Sequence, residues 1–462
     1  MRHYICLIIL LSFLKTSFAS GPWTEYNNEN GYQAGNDAFL TASVVEDQLI
    51  LTVPEEVLNK PILFIRYDQS GKRRFMQVIW SLHGDRMLLK VPSIRSTAGI
   101  ILPIKPNLTI EENILSVFPI EQKEMDLDKY QIDITALVLH QSIEWEPGFT
   151  ENLVPAITLL EGAKNLEDEV IIKTRRGLVM GESKVSLPTF YGFSALPDPM
   201  RARRFDYRMG FYDEETTGIH FWLRNSPANI SRWRLQKKFK DQKVSVPVKP
   251  ITFLMSPDIP KKWRPYIKAG IMEWLPAFES AGFKDALLVK EMDSLDEWQA
   301  HSIHSNIIYW SPNKYLRGSE YEDYGGTVAK IIDFRTGEIF RGDIFMGASE
   351  RTVMEKYFVR AAPLDKRARR FPFPDELVGS LFQVIAAHEA GHIFGLKDGN
   401  YGEFTYPWEK MNDSLWLRTM GHTPSIMNYS RSSNIPQPED CISPSLLVQK
   451  VGPTDRYNIR WA

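Results

Sequence analysis

Residues 388–398 read HEAGHIFGLKD, and no other part of the sequence constrains its interpretation as strongly. On a helix, side chains four positions apart lie on one face, so His388 and His392 can direct their imidazoles at a single point. Zinc takes nitrogen ligands in a tetrahedral site, and two such imidazoles can share it. Glu389 adjoins the first histidine and can take a proton from a water held by the metal. The spacing therefore predicts a zinc site with Glu389 as its catalytic base.

The third ligand is predicted from the residues that follow the second histidine. Gly395 allows a tight turn at the end of the helix, after which Asp398 comes back towards the metal. A carboxylate oxygen serves zinc as well as an imidazole does and leaves the fourth position to water. Asp398 can also be an ordinary turn-forming acid. The other candidates for this position are His301, His304, His422 or a glutamate further along the chain.

The histidines fall on a segment that is independently predicted to be a helix. Asp375 follows Pro374 as a helix start, the apolar spacing continues to about Phe394, and Gly395 ends the helix. The sequence before it alternates between strand-like and helix-like segments, which is typical of an α/β domain. The predicted strands are 251–255, 286–289 and 305–310, the predicted hairpin joins 327–334 to 339–346, and a long helix is predicted at 260–281.

The first half of the chain has a different pattern, with short apolar runs separated by turn signals. Strands are predicted at 49–53, 62–67, 75–82, 87–91 and 170–173. We therefore expect an α+β, multidomain protein with a β-rich N-terminal domain at 20–195 and an α/β catalytic domain at 251–462. A basic and aromatic connector at 196–250 would join them, with its cations paired or solvated.

The first nineteen residues resemble an export signal. Arg2 and His3 precede an apolar run at residues 4–14, and Ala19 ends a pair of small residues at a cleavage position. The run is too short to span a bilayer comfortably, so we expect cleavage rather than stable membrane insertion.

Composition excludes several classes of function. With 55 basic and 57 acidic side chains, the chain carries no net field that would attract nucleic acid. Cys6 lies in the predicted signal, so Cys441 is alone in the mature chain and cannot form an internal disulfide. We therefore expect no nucleic-acid partner and a stability that comes from the cores.

About thirty residues after the helix motif, residues 425–429 read SIMNY. Together with the helix motif, this segment resembles the metzincin clan of zinc peptidases, in which a methionine-containing turn forms a floor beneath the metal. The resemblance implies that Met427 is this methionine. It also implies that Tyr429 is similar to the tyrosine that approaches the zinc or stabilises the oxyanion in some members.

A closer resemblance extends over about residues 35–462. The segments that carry it are 205–212 (FDYRMGFY), 232–235 (RWRL), 248–251 (VKPI), 263–270 (WRPYIKAG) and 333–339 (DFRTGEI). They resemble large zinc-dependent metallopeptidases of Bacteroidetes that carry domains of unknown function around a metzincin-like core. Those relatives usually have histidine where this chain has Asp398, and they commonly continue far beyond the methionine turn. The chain is thus expected to be an exported bacterial protein and a short form.

The expected activity is that of a secreted zinc metalloendopeptidase, in which Glu389 activates the zinc-bound water and Tyr429 is a second donor to the oxyanion. The strand at 341–346 is expected to form the upper edge of the cleft, where an extended substrate could pair with it. The alternative is a catalytically weak or inactive protein of the same fold that binds a protein or a glycan. The intact Glu389 argues against this alternative.

Overall fold

The computed structural model describes residues 39–68, 71, 73–95, 101–103, 112–124, 128–145, 149–213, 228–311 and 325–462. The predicted export signal at residues 1–19 lies outside these ranges. The protein has a mixed α and β architecture with a β-rich N-terminal region.

Antiparallel strands make up the N-terminal region, together with the short helix α1 (Thr135–Leu139). One sheet has the strand order β1-β2-β9-β8, and a larger sheet has the order β10-β11-β12-β3-β4-β5-β6, with β7 also paired to β5. The predicted strands are confirmed, and most of them extend by one to several residues. The strands are β1 (Thr41–Val45), β2 (Gln48–Pro54), β3 (Pro61–Tyr67), β4 (Arg73–His83), β5 (Arg86–Arg95), β6 (Ile101–Pro103), β7 (Glu112–Pro119), β8 (Gln122–Glu124), β9 (Lys129–Asp133), β10 (Leu159–Asn165), β11 (Glu169–Met180) and β12 (Ser183–Ala195).

The strand predicted at 170–173 is much longer in the structure. It spans Glu169–Met180 and pairs with Ser183–Ala195 as a long hairpin. Its apolar pattern is interrupted by Arg176, which is fully buried because Glu151 accepts from its Nη2 at 2.8 Å. The predicted strand stops at residue 173 because charged side chains interrupt the apolar run from there. A buried charge that has a partner can nevertheless lie inside a strand.

The C-terminal region has the predicted alternation of strands and helices. Its sheet has the order β14-β13-β15-β17-β16, in which β16 alone runs antiparallel to its neighbour. No helix within the described ranges combines the length and the apolarity that crossing a bilayer takes. The elements are β13 (Ile251–Met255), α2 (Arg264–Met272), α3 (Leu275–Ser280), β14 (Leu287–Glu291), α4 (Glu297–Ala300), β15 (Asn306–Trp310), β16 (Gly326–Asp333), β17 (Glu338–Met346), α5 (Glu350–Ala361), α6 (Asp375–Ile393), α7 (Ser414–Met420) and α8 (Pro453–Trp461).

The single helix predicted at 260–281 is wrong, because this segment forms two helices, α2 and α3. Pro276 has no N–H to donate, and its ring would clash with the carbonyl of Met272 in a continuous helix. Trp274 lies at the break and donates from Nε1 to the carbonyl of Ala387 at 2.8 Å. The break therefore anchors this segment to α6.

The edge of the C-terminal sheet also differs from the prediction. The segment 341–346 belongs to β17, which is paired on both sides, by β15 and by β16. Arg341 and Asp343 on this strand are completely buried. The expectation that this strand receives substrate is thus wrong, and β16 is the outer strand beside α6.

Successive residues of β17 point to opposite faces of the C-terminal sheet, and the two faces have different neighbours. A Cβ on Gly342 would lie within 2.6 Å of a side chain of α6, whereas Arg341 and Asp343 point to the opposite face. On that face, Arg73 of β4 donates from Nε to Asp343 Oδ2 at 2.9 Å. The N-terminal sheet thus packs behind the C-terminal sheet, on the face away from α6.

An apolar cluster joins the two sheets around this ion pair. Its buried members are Leu63, Ile65, Tyr67, Ile171, Phe190, Ile303 and Ile331. The region that carries the histidine motif is therefore supported from behind by residues more than a hundred positions earlier in the chain.

Candidate metal centre

The C-terminal half of α6 carries the histidine motif into the core. His388, Glu389 and His392 are at most 8 % exposed. Apolar neighbours on the same helix pack against α2 and the sheet, so the polar motif is positioned by a rigid element. Buried polar groups require hydrogen-bond, ion-pair or metal partners, and the contacts of all three side chains follow from this position.

The structure brings the three predicted ligands together. His388 Nε2 lies 3.1 Å from Asp398 Oδ1, and His392 Nε2 lies 3.7 Å from Asp398 Oδ2. One ligand atom of each residue lies within 4.8 Å of the others. Ligands of a tetrahedral zinc ion are about 3.4 Å apart, so these separations fit such a site.

The Nδ1 atoms of His388 and His392 form hydrogen bonds that fix the orientation of the two imidazoles at the candidate metal position. His388 Nδ1 bonds the carbonyl of Ile426 at 2.8 Å, and His392 Nδ1 bonds the carbonyl of Leu396 at 2.8 Å. A neutral imidazole that donates from Nδ1 keeps a lone pair on Nε2, as metal-binding histidines do.

The carboxylate of Asp398 completes this set of lone pairs. Its Oδ1 is buried, and among the described residues no hydrogen bond donor reaches it. Burial would raise the pKa of Asp398, but the neighbouring imidazoles His388 and His392 and the guanidinium of Arg431 hold it below its ordinary value. The carboxylate of Asp398 and the Nε2 atoms of both histidines thus converge, and a cation bound there would take the place of Arg431 Nη2, which lies in hydrogen-bond contact with His388 Nε2 at 3.1 Å.

The chain after α6 is held by the predicted connector, which supports the site directly. Gly395 has φ 98°, and a Cβ there would collide with the carbonyl oxygen of Ser231. Tyr212 donates from its backbone to Gly395 O at 2.7 Å, and Lys397 donates to Gly210 O at 2.8 Å. The connector therefore fixes the turn that presents Asp398.

Glu389 lies beside the three ligands without being one of them. The backbone N–H of Gly326, the first residue of β16, donates to Glu389 Oε1 at 3.1 Å. A Cβ at this glycine would come within 2.8 Å of the glutamate, so only glycine allows the contact. Complete burial raises the pKa of Glu389, although the guanidinium of Arg431 and the hydrogen bond from Gly326 oppose the shift.

Met427 lies beneath α6, as the resemblance to metzincins implies. Its side chain is 1 % exposed, and a Cβ on Gly391 would collide with its sulfur. The glycine between the two histidines is therefore needed for the helix to rest on the methionine.

Tyr429 and Arg431 occupy different positions relative to the ligands. Tyr429 is 60 % exposed, whereas Arg431 Nη2 lies 3.1 Å from His388 Nε2. Sequence reasoning missed Arg431. Its position two residues after Tyr429 was the only signal, and many other arginines and lysines of the chain are equally close to some motif.

Lys330 of β16 is a second residue that the sequence did not indicate. Its Nζ donates to the carbonyl of His392 at 3.2 Å and lies 4.0 Å from the ring centre of Tyr212. Burial lowers the pKa of Lys330 to about 7. It thus ties the edge strand to the end of α6.

The other histidines considered for the third position are engaged elsewhere. His301 stacks on Phe190 with ring centres 3.6 Å apart, and His304 pairs with Asp168 at 2.9 Å. His422 bonds the carbonyl of Ser430 through Nε2 at 3.1 Å.

Residues 370–462 match a family model described as Met-zincin. The matched segment contains α6, the three grouped ligands and Met427, which supports a metzincin-like fold here and confirms the resemblance in this respect. The match to a Met-zincin model favours zinc as the metal that the grouped residues His388, His392 and Asp398 could hold. No curated protein matches the chain.

Proposed function

We propose that the protein is an exported zinc-dependent endopeptidase that cleaves protein or peptide substrates. His388, His392 and Asp398 would hold the metal, and Glu389 would act as general base. The observation that carries this proposal is the convergence of two buried imidazoles and the half-buried carboxylate of Asp398 beside Glu389, a carboxylate with a raised pKa. The signal-like segment at 1–19 supports export.

Bound zinc would supply a polarised carbonyl and a water of lowered pKa. Glu389 would accept the proton of the attacking water on its carboxylate and return it to the leaving amine. Its raised pKa suits both steps, since a base works best when its pKa lies near the working pH. The N–H of Gly326 would keep one carboxylate oxygen in place while the other moves the proton.

Arg431 is the better candidate for the donor that stabilises negative charge on the substrate carbonyl. Its guanidinium lies at the ligand face of His388, whereas most of the Tyr429 side chain is in solvent. A fixed cation in a partly buried site stabilises a developing oxyanion more effectively than a mobile phenol. Tyr429 remains a second candidate that would have to move inwards.

An extended substrate would pair with β16. This strand is the last in the sheet order, and its first residue contacts Glu389. Strand addition supplies backbone hydrogen bonds that do not depend on the substrate sequence. The substrate would then run past the catalytic base.

The test combines metal analysis with cleavage of a peptide library, using the wild type and Glu389→Gln. We expect one zinc per chain in both proteins and a loss of kcat of at least about 100-fold in the variant. Glu376→Gln, an exposed change on the same helix, is the matched control and should cleave as the wild type does. Unchanged cleavage by Glu389→Gln would contradict the proposal, and zinc without cleavage by the wild type would favour a binding protein.

A further inference from the structure

A cationic surface lies between the end of β17 and the start of α6. Residues 356–370 contain six basic side chains and one carboxylate, although the whole chain has a net charge of −2. The carboxylate, Asp365, is buried and paired with Arg367 at 2.8 Å. The basic residues are Lys356, Arg360, Lys366, Arg367, Arg369 and Arg370, and all of them are exposed.

Three apolar side chains of the same part of the chain are exposed. Val359 is 80 % exposed, Phe371 is 50 % exposed and Phe358 is 39 % exposed. The rings of Phe358 and Phe371 touch, with centroids 5.2 Å apart, so α5 and the segment before α6 contribute to one apolar patch. Phe373 lies beneath it, 5.0 Å from Phe371 and only 4 % exposed. The patch therefore has a rigid base.

The acidic residues around this surface already have cationic partners. Glu355 pairs with Arg351 at 2.7 Å, and Lys262 lies 3.4 Å from Glu350 and 3.2 Å from Asp375. Glu376 at the start of α6 acts on Arg367, as Asp365 does. Among the described residues, no carboxylate lies within ion-pair distance of Arg360, Lys366, Arg369 or Arg370, so these four carry the positive charge of the surface.

We propose that this cationic and apolar surface binds peripherally to membranes that contain anionic phospholipid. Basic side chains around exposed aromatic and aliphatic groups match such an interface, where the cations contact headgroups and the apolar groups enter the acyl boundary. The basic side chains favour binding to an anionic partner. The high exposure of Val359 favours a partner with an apolar interior that this side chain can enter. A soluble polyanion would satisfy only the charges.

The position of the surface is compatible with an accessible metal centre. It lies before Asp375, at the N-terminal end of α6, whereas the histidines lie near the C-terminal end. Thirteen residues of helix separate Asp375 from His388, which corresponds to about 20 Å. Membrane binding thus leaves the cleft free, and it does not depend on the proposed peptidase activity.

The experiment is co-sedimentation of the full chain with vesicles. We expect binding to vesicles of equal parts phosphatidylglycerol and phosphatidylcholine, weaker binding at high salt, and little binding to phosphatidylcholine alone. Arg360→Glu combined with Arg370→Glu should lower the partition coefficient at least about 25-fold. Val359→Ser combined with Phe371→Ser should lower it about tenfold.

Lys238→Glu combined with Lys240→Glu is the matched control. It changes the net charge equally and also flanks an exposed aromatic residue, Phe239, outside this surface. Its partition coefficient should stay within about twofold of the wild type, since these two lysines are not part of the surface that would contact the membrane. Thermal unfolding and peptide cleavage of each variant verify that it is folded.

Several results would overturn the proposal. These are no binding to the anionic vesicles, equal binding to both vesicle types, or an equal loss in the control variant. Binding that responds to the charge variant but not to the Val359 and Phe371 variant would also overturn it, because the surface would then bind polyanions by charge alone. Heparin as a competitor identifies this last case.

Discussion

At the scale of single residues, each histidine of the candidate centre divides its ring nitrogens between two tasks. Nδ1 bonds a backbone carbonyl, and Nε2 faces the carboxylate of Asp398, with Arg431 Nη2 also in contact with Nε2 of His388. The carbonyls belong to Ile426 beside Met427 and to Leu396 in the turn after α6. The direction of each ligand therefore depends on a loop as well as on the helix.

Asp398 is the ligand that a substitution can test most directly. We expect Asp398→Ala to weaken zinc binding by more than about 100-fold, because two imidazoles alone leave the coordination incomplete. Asp398→His should retain zinc, since an imidazole also fits a tetrahedral site. Competition with a chromogenic chelator measures both, and the exposed Asp293→Ala is the control. Zinc binding by Asp398→Ala that equals that of the wild type would move the third ligand elsewhere.

Arg431 and Tyr429 can be separated by comparing two variants. If Arg431 is the oxyanion donor, Arg431→Gln should lower kcat about 100-fold, and Tyr429→Phe should change it much less. Arg431→Gln should also bind zinc more tightly, because the guanidinium beside His388 repels a second cation. Titration with a chelator gives the affinity independently of turnover. The reverse order of the two kcat losses would assign the role to Tyr429.

The sequence was sufficient to predict the residues whose spacing encodes their geometry. His388, Glu389 and His392 lie on one helix, so four-residue spacing fixes their relation. Asp398 follows after a single turn. The positions of Arg431 and Gly326 relative to Glu389 depend on contacts between distant segments, for which no local pattern exists.

At the scale of elements, the turn between α6 and Asp398 has the strictest requirement. We expect Gly395→Ala to lower the free energy of unfolding by about 3 kcal/mol or more, because both the positive φ and the contact with Ser231 O exclude a Cβ. Gly181→Ala has a similar positive φ but open space, and should cost only about 1 kcal/mol. Urea unfolding measures both.

The same variant should also affect the metal. Gly395→Ala displaces the turn that presents Asp398, so zinc affinity should fall together with stability. Equal losses of stability in Gly395→Ala and Gly181→Ala would show that the close approach of Ser231 O to Gly395 adds nothing to the cost of the substitution.

Elements with a strong local pattern were predicted, and those with long-range determinants were not. The strand at 251–255 and the helix from Asp375 carry clear periodicity and end signals. By contrast, β17 lies inside the sheet because β16 folds back on its outer side, and the sequence of a hairpin does not reveal which of its strands will be outermost.

At the scale of the whole molecule, the buried Glu169 and the partly exposed Asp168 join the N-terminal sheet to the C-terminal region. Glu169 accepts from Ser302 Oγ at 2.7 Å and from the backbone of Ile303 at 3.0 Å, and the adjacent Asp168 pairs with His304 at 2.9 Å. The β-rich character of the N-terminal region and the alternation of strands and helices in the C-terminal region could be predicted from the spacing of apolar residues. Their junction could not, because its partners are separated by more than 130 residues.

The Asp168–His304 pair makes this junction sensitive to pH. Burial would lower the pKa of His304, but the hydrogen bond and ion pair with Asp168 raise this pKa above its ordinary value. Burial would raise the pKa of Asp168, but the same contact with His304 holds that pKa below its ordinary value. The negative charge of Glu169 also raises the pKa of His304, whereas the positive charge of Lys249 lowers it. The stabilisation is therefore complete between about pH 4 and pH 6.5, is lost as pH rises through the raised pKa of His304, and is lost again as pH falls through the lowered pKa of Asp168.

His304→Gln should therefore destabilise the protein more at pH 5.5 than at pH 8.5, by at most about 1 kcal/mol because both groups are partly exposed. Urea unfolding of wild type and variant at the two pH values gives the difference, and the exposed His83→Gln is the control. Since Glu169 and the apolar cluster remain in place, the junction should loosen without separating. A stability loss in His304→Gln that is equal at both pH values would mean that the imidazole acts there through packing, not through its charge.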